Sequence, residues 1–248
     1  MTVSLLVFAC VFGGAVLGIL LRAALPQDHL SSESKDVVKL GMGLVATMSA
    51  LVLGLLVSSA KSTYDSQSSE VTEMSAKIVF LDRMLAHYGP ETKEAREALR
   101  SSVVGSIDRI WPAERARSSE ATPPLTSAET LLDKIQTLAP KDDAQRWLQS
   151  QALSIAIGLG QTRWLLYEQG ASTVSRPMIV VLVFWLTAIF ISFGLFAPRN
   201  ATVTIALFVS GLSVSGAIFL ILEMYAPFSG WIKISSAPLH FALAHLGE

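Results

Sequence analysis

The sequence predicts an all-α integral membrane protein, with four transmembrane helices in two hairpins flanking an extramembrane helical bundle. Four apolar runs, 3–21, 40–60, 178–196 and 201–222, contain no Asp, Glu, Lys or Arg. Each has about the 20 residues a helix needs to cross roughly 30 Å of hydrocarbon. Charged residues make up only 16% of the chain and hydrophobic residues 51%, against about 25% charged in a soluble domain. The stretch 61–176 between the two pairs is polar and repeats its apolar residues at helical spacing, with little strand signal.

The first run is read as a retained span and not a cleaved leader. No Lys or Arg precedes it, it is too long for a signal h-region, and a second span follows closely. After it comes a short polar connection containing Pro26, in which Ser32 or Ser34 can cap the start of span 2. Spans 1 and 2 then form one antiparallel hairpin. Spans 3 and 4 form a tighter one, separated only by Pro198-Arg199-Asn200.

Val71, Met74, Ile78, Leu81, Leu85 and Tyr88 recur at alternating spacings of three and four. With no Gly or Pro between them and span 2, one helix is expected to run unbroken from the membrane to Tyr88, where Gly89-Pro90 stops it. A second helix over 91–111 turns Ala95, Leu99, Val103, Ile107 and Ile110 inward, and Pro112 ends it. Residues 113–125 read as a solvated loop. Thr126 with Glu129 fits a capping box for a short helix using Leu131, Leu132, Ile135 and Leu138. Leu148, Ala152, Ile155, Leu159, Thr162 and Leu166 form the last stripe, broken before span 3 by Gly170, the Ser-Thr stretch and Pro177. These stripes either bury against one another within a subunit or zip neighbouring subunits together. The first reading leads, because the bundle must fill its own core.

In the tail, 223–248, Tyr225, Phe228 and Trp231 are spaced like interfacial aromatics. Ser236 and Pro238 open a last helix using Leu239, Ala242, Leu243 and Leu246, lying on the membrane surface or the bundle.

Several functions are disfavoured. A net charge of −1 argues against nucleic-acid binding. Cys10 has no partner for a disulfide, and His29, His87, His240 and His245 share no ligand spacing, so no metal site is expected. No catalytic constellation, phosphate loop or cofactor motif is present, and the chain is not read as an enzyme. Lys39, Lys61 and Glu223 stand at span edges rather than mid-membrane, which disfavours a coupled pump. Four spans enclose little alone, so a conducting path must form between subunits.

Span 2 is the most organised. Gly43, Ala46, Thr47, Ala50 and Gly54 cluster on one face, where small side chains let another helix approach closely. About a quarter turn round lie Leu44, Met48, Leu51 and Leu55. Both faces are explained by packing, the small residues against Gly14 and Gly18 of span 1 and the leucines against another span or lipid. Alternatively, one face lines an axial pore with Leu51 and Leu55 as a dewetting constriction. Thr202, Thr204, Ser210, Ser213 and Ser215 of span 4 can bond back to their own helix and are weak signs of a water path.

Residues 34–61, 154–166 and 193–202 resemble the bacterial bestrophin-like domain membrane proteins, and the likeness extends over nearly the whole chain. The resemblance implies a multi-pass protein of the bacterial inner membrane, in contact with lipid. By analogy with bestrophins, which are pentameric anion channels with four spans and a cytosolic helical domain, it implies a homo-oligomer, a pentamer by that analogy alone. Bestrophins carry phenylalanines at the pore neck on the second span, and residues 40–60 here contain no aromatic. The resemblance therefore carries the span layout and not the gate. A homo-oligomeric channel-like protein with its pore near span 2 is the leading function, and a non-conducting scaffold or sensor is the alternative.

An even number of spans puts the bundle and both termini on one side. Arg22, Lys35, Lys39 and Arg199 would lie opposite Lys61, Lys77, Arg163, Arg176 and Lys233, a near tie under the positive-inside rule. The uncharged N-terminus ahead of Arg22 argues for that side being outside. The bestrophin likeness argues for a cytoplasmic bundle, which is the orientation adopted.

Overall fold

The computed structural model describes residues 2–26, 31–111, 127–169, 176–198, 200–228 and 230–247, and every regular element among them is helical. The α-helices are α1 (Thr2–Ala24), α2 (Ser32–Tyr88), α3 (Lys93–Ile110), α4 (Ser127–Gln136), α5 (Asp143–Gln169), α6 (Arg176–Phe196), α7 (Ala201–Met224) and α8 (Ala237–Ala244). Four of them, α1, α2, α6 and α7, are long and apolar enough to cross a membrane. Contacts divide the chain into two units: Met1–Ser62 with Thr173–Tyr225, and Thr63–Ser172 with Ala226–Glu248. The expected unbroken helix is present. Its 57 residues give α2 a length of about 85 Å at 1.5 Å per residue.

In the first unit the most extensive helix pair joins α1 to α6, the first span to the third, and α1 packs next against α7. Gly14 and Gly18 therefore face α6, not span 2 as their spacing suggested. A Cβ at Gly18 would fall well inside contact distance of the Ile191 carbonyl oxygen and 2.8 Å from the Leu195 amide nitrogen. One at Gly194 would overlap the Ala15 carbonyl oxygen in the same way and sit 3.0 Å from the Ile19 amide nitrogen. The two helices run parallel, and each places a glycine where the other's backbone passes. With lipid as apolar as leucine, such close packing is what holds membrane helices together. At the end of the seam, Arg22 donates to the carbonyl of Ala197, just past the end of α6.

Phe8 and Phe12 of α1 stack on each other, and Phe208 of α7 meets both edge-on at 5.5 and 5.4 Å. The apolar interior joins Val7, Val11 and Ala15 to Leu182, Leu186, Phe190, Leu207, Ile218 and Ile221, with Leu56 and Ala60 of α2. Helix starts follow local chemistry. The Asn200 side chain accepts from the Val203 amide at 2.8 Å and caps α7. The cap of α2 is Ser31, whose Oγ accepts from the Ser34 amide, one residue before the expected serines. Pro177 does not break a helix but occupies the first turn of α6, where its missing N–H costs nothing. Thr204, Ser213 and Ser215 bond back to carbonyls four residues earlier, as expected for span 4.

In the second unit every apolar residue of the α2 stripe from Val71 to Tyr88 is buried, as are all five predicted for α3. The turn between them depends on Gly89, whose φ of 137° is strained for any side chain. Buried Thr92 donates to the Leu85 carbonyl at 2.6 Å and closes the end of α2. Gln149 of α5 donates to the carbonyls of Ile135 and Leu138 at 2.9 Å each, satisfying the free C-terminal end of α4. Asp142 accepts from the Gln145 amide at 2.7 Å and caps α5. The expected loop 113–125 and the capping residue Thr126 lie outside the described residues.

The tail belongs to this core. Leu239, Ala242 and Leu246 are buried in the bundle. Phe228, expected among headgroups, instead meets Trp111 edge-on at 5.5 Å, and the Trp111 indole donates to the Ile234 carbonyl at 2.8 Å. Asp82, flanked on its face by Ile78 and Leu85, is fully buried and held by two 2.7 Å bonds from Arg96 and a 3.2 Å bond from the Gly247 amide.

Candidate functional site

The membrane-crossing part of α2 is the span least covered by its own chain. Of its most apolar stretch 11% of residues are buried, against 28–33% for the other three spans. Its inward face is made of Ser49, Leu56 and Ala60, with Val52 and Leu53 partly buried beside them. This stripe was not singled out in the sequence, because apolar residues surround the helix and only packing selects the covered side.

Both faces that the sequence did single out lie elsewhere on the helix. Leu44, Met48, Leu51 and Leu55 are 65%, 46%, 69% and 65% exposed and form one continuous stripe. At 100° per residue this stripe is about 120° round from the inward one. Gly43, Thr47, Ala50 and Gly54 are exposed on the third side, and Ala46 is half-buried. A Cβ at Gly43 or Gly54 would meet nothing within 4 Å. Gly43 and Ala46 border an apolar crevice of about 500 Å³ with Phe193, Phe196 and Leu207. Among the described residues the small-residue face is thus largely unoccupied. Thr47 and Ser49 direct their hydroxyls to the carbonyls of Leu44 and Val45, so the apolar stripe is not interrupted by a free donor.

Residues 9–239 match the family model of the Bestrophin-like domain, from within the first span to the last helix. The chain belongs to the Bestrophin-like family. Its fold is shared with a bacterial Bestrophin homolog from Klebsiella pneumoniae, solved in a mutant form. The likeness covers 98% of this chain and 97% of that one, with a TM-score of 0.63 and 12% identity. No match was found among curated proteins.

In this Bestrophin-like chain the described histidines are engaged by nearby backbone. His87, His240 and His245 each donate from Nδ1 to a carbonyl four residues earlier. Among the described residues no group of three His, Cys, Asp or Glu is placed to hold a metal ion. The bonded pair Asp82–Arg96 went unnoticed in the sequence. Its signal was an acidic residue at the i+4 position from Ile78 and i−3 from Leu85, on a face that is otherwise apolar.

Proposed function

We propose that this Bestrophin-like chain assembles as a homo-oligomer, a pentamer by family analogy, whose conducting path runs between subunits along α2. In this reading the membrane is a bacterial inner membrane and the bundle is cytoplasmic. The observation that supports it is the bareness of α2: two of its three faces, one small and one leucine-lined, have no partner among the described residues. The small face receives a helix of the neighbouring subunit. The leucine stripe faces the axis, where Leu51 and Leu55 form a ring too apolar to hold water stably.

Two measurements test this. Ala50→Leu and Gly54→Leu add bulk where the chain itself leaves open space, so the subunit folds normally while the oligomer weakens. Mass in detergent should shift several-fold toward the monomer with the helical signal unchanged. An unchanged oligomer would place that face in lipid.

For conduction, Leu51→Ser and Leu55→Ser wet the constriction and should raise single-channel current in planar bilayers. Leu212→Ser on α7, an exposed position, should not. If wild type and both serine variants stay silent across voltage, pH and common ions, the chain is a non-conducting scaffold or sensor instead.

A further inference from the structure

Within the bundle a cavity of about 330 Å³ opens between α3, α4 and α5, with α2 at its floor. Its size falls at the small end of ligand sites, roughly 300–1,000 Å³. Ile78, Leu131 and Leu159 give it apolar walls, Trp164 stands at its edge, and Ser102 adds a hydroxyl. Arg109 and Arg163 both line it and both are half-buried. Among the described residues neither guanidinium has a hydrogen bond or an ion pair.

That pairing is costly. An arginine cannot shed its proton to escape burial, and a partly desolvated charge without a partner is destabilising. Burial, and then the charge of Arg109, hold the Arg163 pKa below its ordinary value, with Glu129 opposing them. Glu129 lines the same cavity and is exposed, but it does not close an ion pair with either arginine.

We propose that this cavity binds a phosphate monoester carried on an apolar or aromatic body. Two guanidinium forks match the oxygens of a dianionic phosphate. The apolar walls and the Trp164 ring receive the body. The source is either a soluble organic phosphate or a lipid with a terminal phosphate. The inference does not depend on conduction.

The test uses the full chain in neutral detergent at fixed ionic strength, because surface charge effects are screened by salt. Phenyl phosphate should raise Tm and quench Trp164 fluorescence saturably, more strongly than inorganic phosphate. Arg109→Gln and Arg163→Gln should each weaken the response at least tenfold. Glu129→Gln should strengthen it by removing a competing carboxylate. Without ligand, the two arginine variants should melt at or above the wild-type temperature, since each relieves a repulsion; a lower Tm would show that the arginines are structural.

A second arm compares nanodiscs of phosphatidylcholine with and without phosphatidic acid. A response confined to phosphatidic acid identifies a lipid source, and a response to phenyl phosphate a soluble one. No response in either arm, or an equal response in the arginine variants, overturns the proposal.

Discussion

Gly18→Val should prevent the membrane unit from folding. The added side chain must begin where the Ile191 carbonyl and the Leu195 amide of α6 already stand, and these are backbone atoms that cannot rotate aside. The helices must part, and the loss spreads along the seam to Gly14, Gly194 and the Arg22 bond at its end. Ordinary overpacking costs about 1–3 kcal/mol, and a backbone collision in a parallel seam belongs at or above the top of that range. The variant should aggregate on extraction or melt far below wild type in detergent. Gly194→Ala should act in the same direction, since its Cβ collides with Ala15 of α1. The paired control is Gly13→Val: the same span and substitution, but a position where a Cβ meets nothing within 4 Å. Gly13→Val should fold. If Gly18→Val folds equally well, the α1–α6 seam is wrong.

Arg96→Ala should destabilise the bundle by about 3–5 kcal/mol, the cost of leaving a buried charge without its partner. The Asp82 side chain is 2% exposed and Arg96 supplies both of its 2.7 Å bonds, leaving only the Gly247 amide. Exposed pairs such as Lys77–Glu73 should contribute under about 1 kcal/mol by comparison. The pair also sets an acid limit. Burial is the largest influence on Asp82 and pushes its pKa up. The Arg96 and Gly247 bonds and the charges of Arg96 and Arg83 together outweigh it, so the net pKa lies below the ordinary 3.8. A carboxylate with a depressed pKa in the folded state stabilises above its unfolded pKa. That contribution is lost as pH falls below about 4 through the folded value. Urea or thermal unfolding of the bundle between pH 5 and 2, followed by near-ultraviolet signal, should show this loss in wild type and a shallower slope in Asp82→Asn. Parallel slopes would show that other carboxylates govern acid unfolding.

Where a physical property is local, it was legible from the residues. Each apolar run must be a helix because lipid offers its backbone no partner. The helix from Ser32 to Tyr88 is continuous because no Gly or Pro interrupts it after Gly54, and it stops at Gly89, which takes a positive φ. The buried stripes of α2 and α3 followed directly from three–four spacing. The Ser31 cap was displaced by one residue because Ser31, Ser32 and Ser34 are chemically equivalent and only geometry selects among them.

Pairing was less legible. Gly14 and Gly18 announced a close contact but not its partner, and span 2, the nearest in sequence, was the wrong choice. Thr47 and Ser49 of this span both bond back to their own helix and lie on opposite sides of it, one exposed and one buried, so polarity did not single out the inward Ser49–Leu56–Ala60 stripe in advance. Phe228 carried the same signature as an interfacial aromatic and packs, partly buried, against Trp111 at the edge of the bundle core, since an aromatic ring suits either environment.

From its residues alone this protein is a four-span helical membrane protein with a helical bundle, because hydrophobic length and periodicity act residue by residue along the chain. The tertiary structure alone decided that the first span pairs with the third, that Asp82 is neutralised by Arg96, and that two faces of α2 stay uncovered among the described residues. Those outcomes depend on which surfaces meet across long sequence separations, and matching shapes rather than composition selects them.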